Sequence, residues 1–109
     1  MARVVAIVSD LMLASRVSTA LGAAGHEVEQ TASVPDELDG ADLVVADLDV
    51  AEPEQVAALG VPALGFYQHT DVDTKRRADE AGLALAVPRS RMVRELPELA
   101  ERLLAESGG

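Results

Sequence analysis

Two aspartates stand where short apolar runs stop. Asp10 follows the run Arg3–Ser9, and Asp47 closes Asp-Leu-Val-Val-Ala-Asp, with Asp49 two residues further on. Carboxylates gathered in one crevice make an oxygen-rich pocket of the kind a hard cation such as Mg²⁺ prefers, so Asp10, Asp47 and Asp49 are the candidate metal ligands. Each also has a plain structural reading: Asp10 and Asp49 as caps of the segments that follow, and Asp47 as a solvated acid. A second group lies in Tyr67-Gln68-His69-Thr70-Asp71, which puts a hydroxyl, an imidazole and a carboxylate on one strand-end loop. With Arg89-Ser90-Arg91 on the adjacent loop it forms a candidate site for a small anion or peptide. The bland alternative makes His69 and Asp71 helix-start residues and leaves the arginines in solvent. His26 falls at the far end of the sheet and lends His69 no metal partner. Lys75-Arg76-Arg77 reads as the solvated face of a helix, or as a strip that steers an acidic partner.

These groups meet only if the elements between them fold in a particular way. The four apolar residues from Leu43 to Ala46 are too few for a helix and valine-rich, so they form a central parallel strand that presents Asp47 at its C-terminal end. Short β-branched runs alternate with amphipathic stretches along the chain, the pattern of an α/β domain with a parallel sheet. Strands are predicted at Arg3–Ser9, His26–Thr31, the run ending at Asp47, Pro62–Tyr67 and Leu83–Val87. Strand 2 alternates polar and apolar residues, as an edge strand does. Helices are predicted over Leu11–Ala24, stopped by Gly25, over Glu52–Leu59, stopped by Gly60, from Thr70 or Asp71 to Glu80, and over Val93–Glu106. The last places Leu96, Leu99, Leu103 and Leu104 on one stripe. Between strands 2 and 3 only a short acidic connection, Pro35–Gly40, is expected. The arrangement implied is a flavodoxin-like doubly wound sheet of order 2-1-3-4-5, with a crevice over strands 1 and 3 flanked by Asp10 and Asp47.

Composition narrows the function. At 109 residues, 49 % of them hydrophobic, the chain supports one domain, residues 1–106, with Ser107-Gly108-Gly109 as a flexible tail. No cysteine is present, which removes disulfides, thiolate metal sites and thiol nucleophiles. No charged-then-apolar leader and no run long enough to span a membrane are apparent, so a cytoplasmic protein without a membrane partner is expected. A formal net charge of −10, with Phe66 and Tyr67 as the only aromatics, opposes nucleic-acid binding. Gly22 and Gly25 follow a helix rather than a strand and form no dinucleotide fingerprint. Phosphate-loop and serine-elbow motifs are absent as well.

The run ending at Asp47, with Asp10 after strand 1, resembles the CheY-like receiver domain of bacterial response regulators, over essentially the whole chain. The resemblance implies that Asp47 is the phosphoacceptor and Asp10 the second acid of the metal-binding pair. Ser9 stands where that family has the first acid, Tyr67 where it has a Thr or Ser, and Arg89-Ser90 where it has Lys-Pro. The stretch from Asp47 to Tyr67 is also short. Loss of one carboxylate at Ser9 weakens Mg²⁺ binding, and a guanidinium at position 89 is larger and wants a planar partner, which predicts a salt bridge to Asp47. The reading is a stand-alone, degenerate receiver, or pseudo-receiver: a signalling module rather than an enzyme, with Mg²⁺ weak or absent. Its partners are a sensor kinase or a downstream effector, with a homodimer possible through the last two helices and strand 5. The alternative is a small enzyme or small-molecule binder using Asp10, Asp47, Tyr67, His69 and Arg89.

Overall fold

The computed structural model describes residues 2–38, 40–68 and 72–107. Five strands, β1 (Arg3–Ile7), β2 (Glu27–Thr31), β3 (Leu43–Asp47), β4 (Ala63–Tyr67) and β5 (Leu85–Pro88), pair in parallel in the order β2-β1-β3-β4-β5. This is the predicted flavodoxin-like topology. Among the described residues α1 (Leu11–Ala23), α2 (Pro53–Ala57) and α3 (Val72–Ala81) connect strands, and α4 (Arg89–Ser107) follows β5. Among its described residues the crossover from β2 to β3 carries no helix, in keeping with its short acidic sequence.

Strand periodicity distributes the core to two faces. Leu43, Val45, Leu64 and Phe66 pack with α1 and α4, whereas Val44, Ala46, Ala63 and Tyr67 share the other face with Val56, Ala78 and Leu83 of the α2 and α3 side. Every residue of β3 and β4 is buried, whereas β2 leaves Glu27, Glu29 and Gln30 exposed as a wet edge.

Several boundaries shift from their predicted places for local reasons. At the end of α1 the amide of His26 bonds back to the carbonyl of Leu21 at 3.0 Å, across Gly25 at φ 94°. At the end of α3 the amide of Leu83 reaches Ala78 at 3.1 Å in the same manner. Both residues thereby close helix termini, so β2 starts at Glu27 and β5 at Leu85. Pro53 at the first helical position and Gly60 beyond the end confine α2 to five residues. The last helix starts four residues earlier than predicted and absorbs Pro97, because Met92 joins Leu96, Leu99 and Leu103 on its buried stripe. The predicted caps Thr70 and Asp71, the site candidate His69, and Gly108-Gly109 of the tail lie outside the described residues.

Candidate functional site

Neighbouring β1 and β3, with Ile7 opposite Ala46, leave the sheet at one edge, so Asp10 and Asp47 stand at the same end of the fold. Asp10 holds an extended backbone and caps α1. Its Oδ1 accepts hydrogen bonds from the amides of Met12 at 3.0 Å and Leu13 at 3.2 Å. The capping role is therefore real, yet it uses one oxygen only. The other, Oδ2, faces a guanidinium nitrogen of Arg89 at 3.7 Å.

Asp47 is buried, at 7 % exposure, which corrects the simple reading of a solvated strand-end acid. Its Oδ1 accepts from the amide of Asp49 at 2.9 Å, and its carbonyl accepts from Val50 and Ala51, closing a tight turn. Burial pushes its pKa above the ordinary carboxylate value. The Asp49 amide opposes that shift, the charges of Asp49 and Asp10 add to it, and Arg89 offsets part of it. The structure thus brings Asp10, Asp47, Asp49 and Arg89 into one electrostatic cluster. Asp49 is exposed, and its Oδ2 accepts from the amide of Gln68 at 3.2 Å. Ser9 is exposed beside the cluster.

Two expectations about the surrounding residues are corrected. Arg89 and Ser90 lie in the first turn of α4 rather than on a loop, and the ion pair of Arg89 is with Asp10 rather than Asp47. Tyr67 does not line a crevice with Asp47. Asp47 has the strand parity of Leu43 and Val45, whereas Tyr67 packs on the opposite sheet face, 6 % exposed, among Val56, Ala78 and Leu83.

The donor set is a poor fit for a tightly held Mg²⁺. The residue at position 9 is neutral, one oxygen of Asp10 caps a helix while the other faces a cation, and the carboxylate of Asp49 holds a backbone amide. Among the described residues no group of three or more His, Cys, Asp or Glu side chains is placed to hold a metal ion.

Along α3, Lys75 pairs with Asp79 at 2.7 Å and Arg76 with Asp73 at 2.6 Å, both locally. Arg77 instead bridges to α2, contacting Glu52 and, at 2.9 Å, Glu54, whose carboxyl it holds below the usual range. The basic strip is neutralised within the protein itself.

Sequence reasoning missed a seat under the Asp47 turn. Leu48 lies across Gly65 of β4, where an added Cβ would fall 2.7 Å from its Cδ1 and 3.0 Å from its Cγ. The signal was a glycine inside an otherwise apolar central strand.

A parallel sheet of this order, with an acid ending its central strand, defines a receiver-type α/β domain. Solved structures agree. The chain is similar to a response regulator receiver domain protein from Clostridium thermocellum, with a TM-score of 0.86 at 13 % identity, covering 99 % of this chain and 98 % of that one. It is also similar to the non-phosphorylated receiver domain of HemR from Leptospira biflexa, with a TM-score of 0.80 at 20 % identity over 95 % of this chain and 94 % of that one. NtrX from Brucella abortus matches with a TM-score of 0.83 at 18 % identity over 98 % of this chain, which spans 28 % of the NtrX chain. No family model and no curated protein matches the sequence. The chain therefore has the CheY-like receiver fold.

Proposed function

We propose that this chain is a receiver-like signalling module that acts through protein contacts, with Asp47 as a slow phosphoacceptor. The observation that carries the reading is a buried acid at the end of the central strand, flanked by Asp10, Asp49 and Arg89. The receiver fold of the similar structures supports it. With Oδ1 held by the Asp49 amide, the second carboxylate oxygen is the nucleophile. It forms a bond to phosphorus as the donor's P–O bond breaks and the electron pair leaves on the donor oxygen, giving an acyl phosphate that stays on the chain. The charge so added is met by Arg89, whose charge already acts on Asp47.

Transfer is slow because Mg²⁺ binds weakly and the guanidinium is already paired with Asp10. A sensor kinase or effector is the partner class. The face formed by α3, β5 and α4, which also suits a second copy of the chain, offers Lys75 and Arg76. Their exposed pairs, each worth about 0–1 kcal/mol, are readily exchanged for a partner's carboxylates. The enzyme alternative is disfavoured because Tyr67 is on the other face of the sheet.

The test is intact-mass measurement over time after adding acetyl phosphate, with Mg²⁺ or with a chelator. Slow, partial modification that is lost in Asp47→Asn is expected. Rapid, near-complete modification would contradict the altered pocket, and no modification at all would remove the acceptor role.

A further inference from the structure

β2 ends the sheet, with β1 as its ladder partner. The amide of Glu27 donates to the carbonyl of Ala2, and the carbonyl of Thr31 accepts from the amide of Val8, so residues 27, 29 and 31 turn their backbone groups inward to β1. Those of Val28 and Gln30 therefore point outward along the open edge. The strand is held in place from the α1 side, where the side-chain amide of Gln30 donates to the carbonyl of Ala14 at 3.2 Å and to the hydroxyl of Ser18.

The other side of this edge has a gap in its roof. α2 and α3 lie over β4 and β5, and beside β1 and β2 only the segment after Thr31 closes in, through Val34 and Leu38. Between that segment and the strand lies an open groove of about 450 Å³, with Val5 and Leu38 as apolar lining and Arg3, Glu29, Thr31 and Glu37 as polar lining. Arg3 faces Glu29 at 3.8 Å, whereas the exposed Glu27 and Glu37 are in no ion pair among the described residues.

We propose that β2 takes up an extended segment of a partner protein as a sixth strand, a segment with basic residues at alternate positions. Backbone hydrogen bonds to Val28 and Gln30 supply the attachment, and a strand already fixed on both its other sides needs no ordering to receive it. Side chains of the added strand alternate between the two faces. Those on the groove side meet Glu27, Glu29 and Glu37, which selects Lys or Arg there. The same acids exclude a second copy. The antiparallel register that uses both Val28 and Gln30 sets Glu29 directly against its own counterpart, and like charges so placed are destabilising. The edge lies away from Asp47 and from the α3, β5 and α4 face, and the docking does not depend on phosphorylation.

The experiment titrates the full chain, in salt that screens charges beyond about 8 Å, with an eight-residue peptide alternating Lys and Val, and follows amide NMR shifts. Three companions are titrated in the same way: a peptide with its Lys residues in one block, one with Glu for Lys, and alternating Lys peptides N-methylated on either alternate set of backbone nitrogens. The alternating Lys peptide is expected to bind about fivefold or more tightly than the blocked and Glu peptides, with shifts at residues 27–31 and 35–38. Methylation of one set, the nitrogens facing the edge, weakens binding by about fivefold or more, the effect of two lost hydrogen bonds, and methylation of the other set leaves it unchanged. Glu27→Lys, an exposed change, lowers affinity for the Lys peptide and raises it for the Glu peptide. Equal binding of the alternating and blocked peptides, indifference to both methylated sets, or shifts spread over the helices would reduce the effect to general attraction by an acidic chain and overturn the proposal. A dimer in light scattering whose contacts map to residues 27–31 would give the edge to a second copy and overturn the basic occupant.

Discussion

Asp47 is the one charged side chain among the described residues that is buried, and Arg89, the cation that acts on it, is paired with Asp10. Its carboxyl binds a proton more tightly in the folded chain than its ordinary value of 3.8, chiefly because burial disfavours the charged form. Between the ordinary and the folded value the native state therefore holds more protons than the unfolded one, and stability falls as pH rises through that window. Asp47→Asn keeps an oxygen for the Asp49 amide and removes the penalty. Urea unfolding at neutral pH is expected to show a higher midpoint for the variant, with the gap closing towards about pH 3, below both values. A lower midpoint than wild type at neutral pH would contradict this account. The positions of Asp10 and Asp47 were legible because each follows an apolar run too short for anything but a strand. The partner of Arg89 was not, since it depends on α4 beginning at residue 89 rather than 93, one turn earlier than its leucines alone indicate.

At the scale of elements, the turn after β3 is held from below. Gly65, paired with Ala46 on one side and Ala86 on the other, leaves room for Leu48 to lie across the sheet, and a Cβ added there would also fall 3.2 Å from Cδ1 of Leu83. A methyl group there collides with Leu48 and displaces the turn that carries Asp47 and Asp49. Gly65→Ala is expected to cost about 1–3 kcal/mol, the usual penalty of overpacking. In a double-mutant cycle, adding Leu48→Ala should recover part of the loss, because the obstructing side chain is gone. Denaturant unfolding of the four proteins measures both effects, and a neutral Gly65→Ala or strict additivity would remove the seat. Strand and helix identities were readable from periodicity, while their ends were set by tertiary closure. His26 and Leu83 have strand-like neighbours, yet their amides are spent on helix carbonyls.

For the whole molecule, the strand order followed from alternation and chain length, because right-handed crossovers leave few other ways to bury five short apolar runs. What the alternation could not disclose was the pairing of surface charge. Lys75, Arg76 and Arg77 look in sequence like an open basic strip, yet each has an acidic neighbour in space, and among the described residues it is Arg16, on α1, that has no carboxylate partner. Nor did it show that Tyr67 falls on the far side of the sheet from Asp47. All the proposed signalling behaviour depends on Asp47 taking the phosphoryl group. The most direct measurement is borohydride reduction of the chain after acetyl phosphate treatment, followed by peptide mapping, since reduction converts an aspartyl phosphate to homoserine. Homoserine at position 47 alone, at reduced yield in Arg89→Ala, is the predicted result. Homoserine at another aspartate, or none anywhere while the untreated chain remains folded, would contradict it.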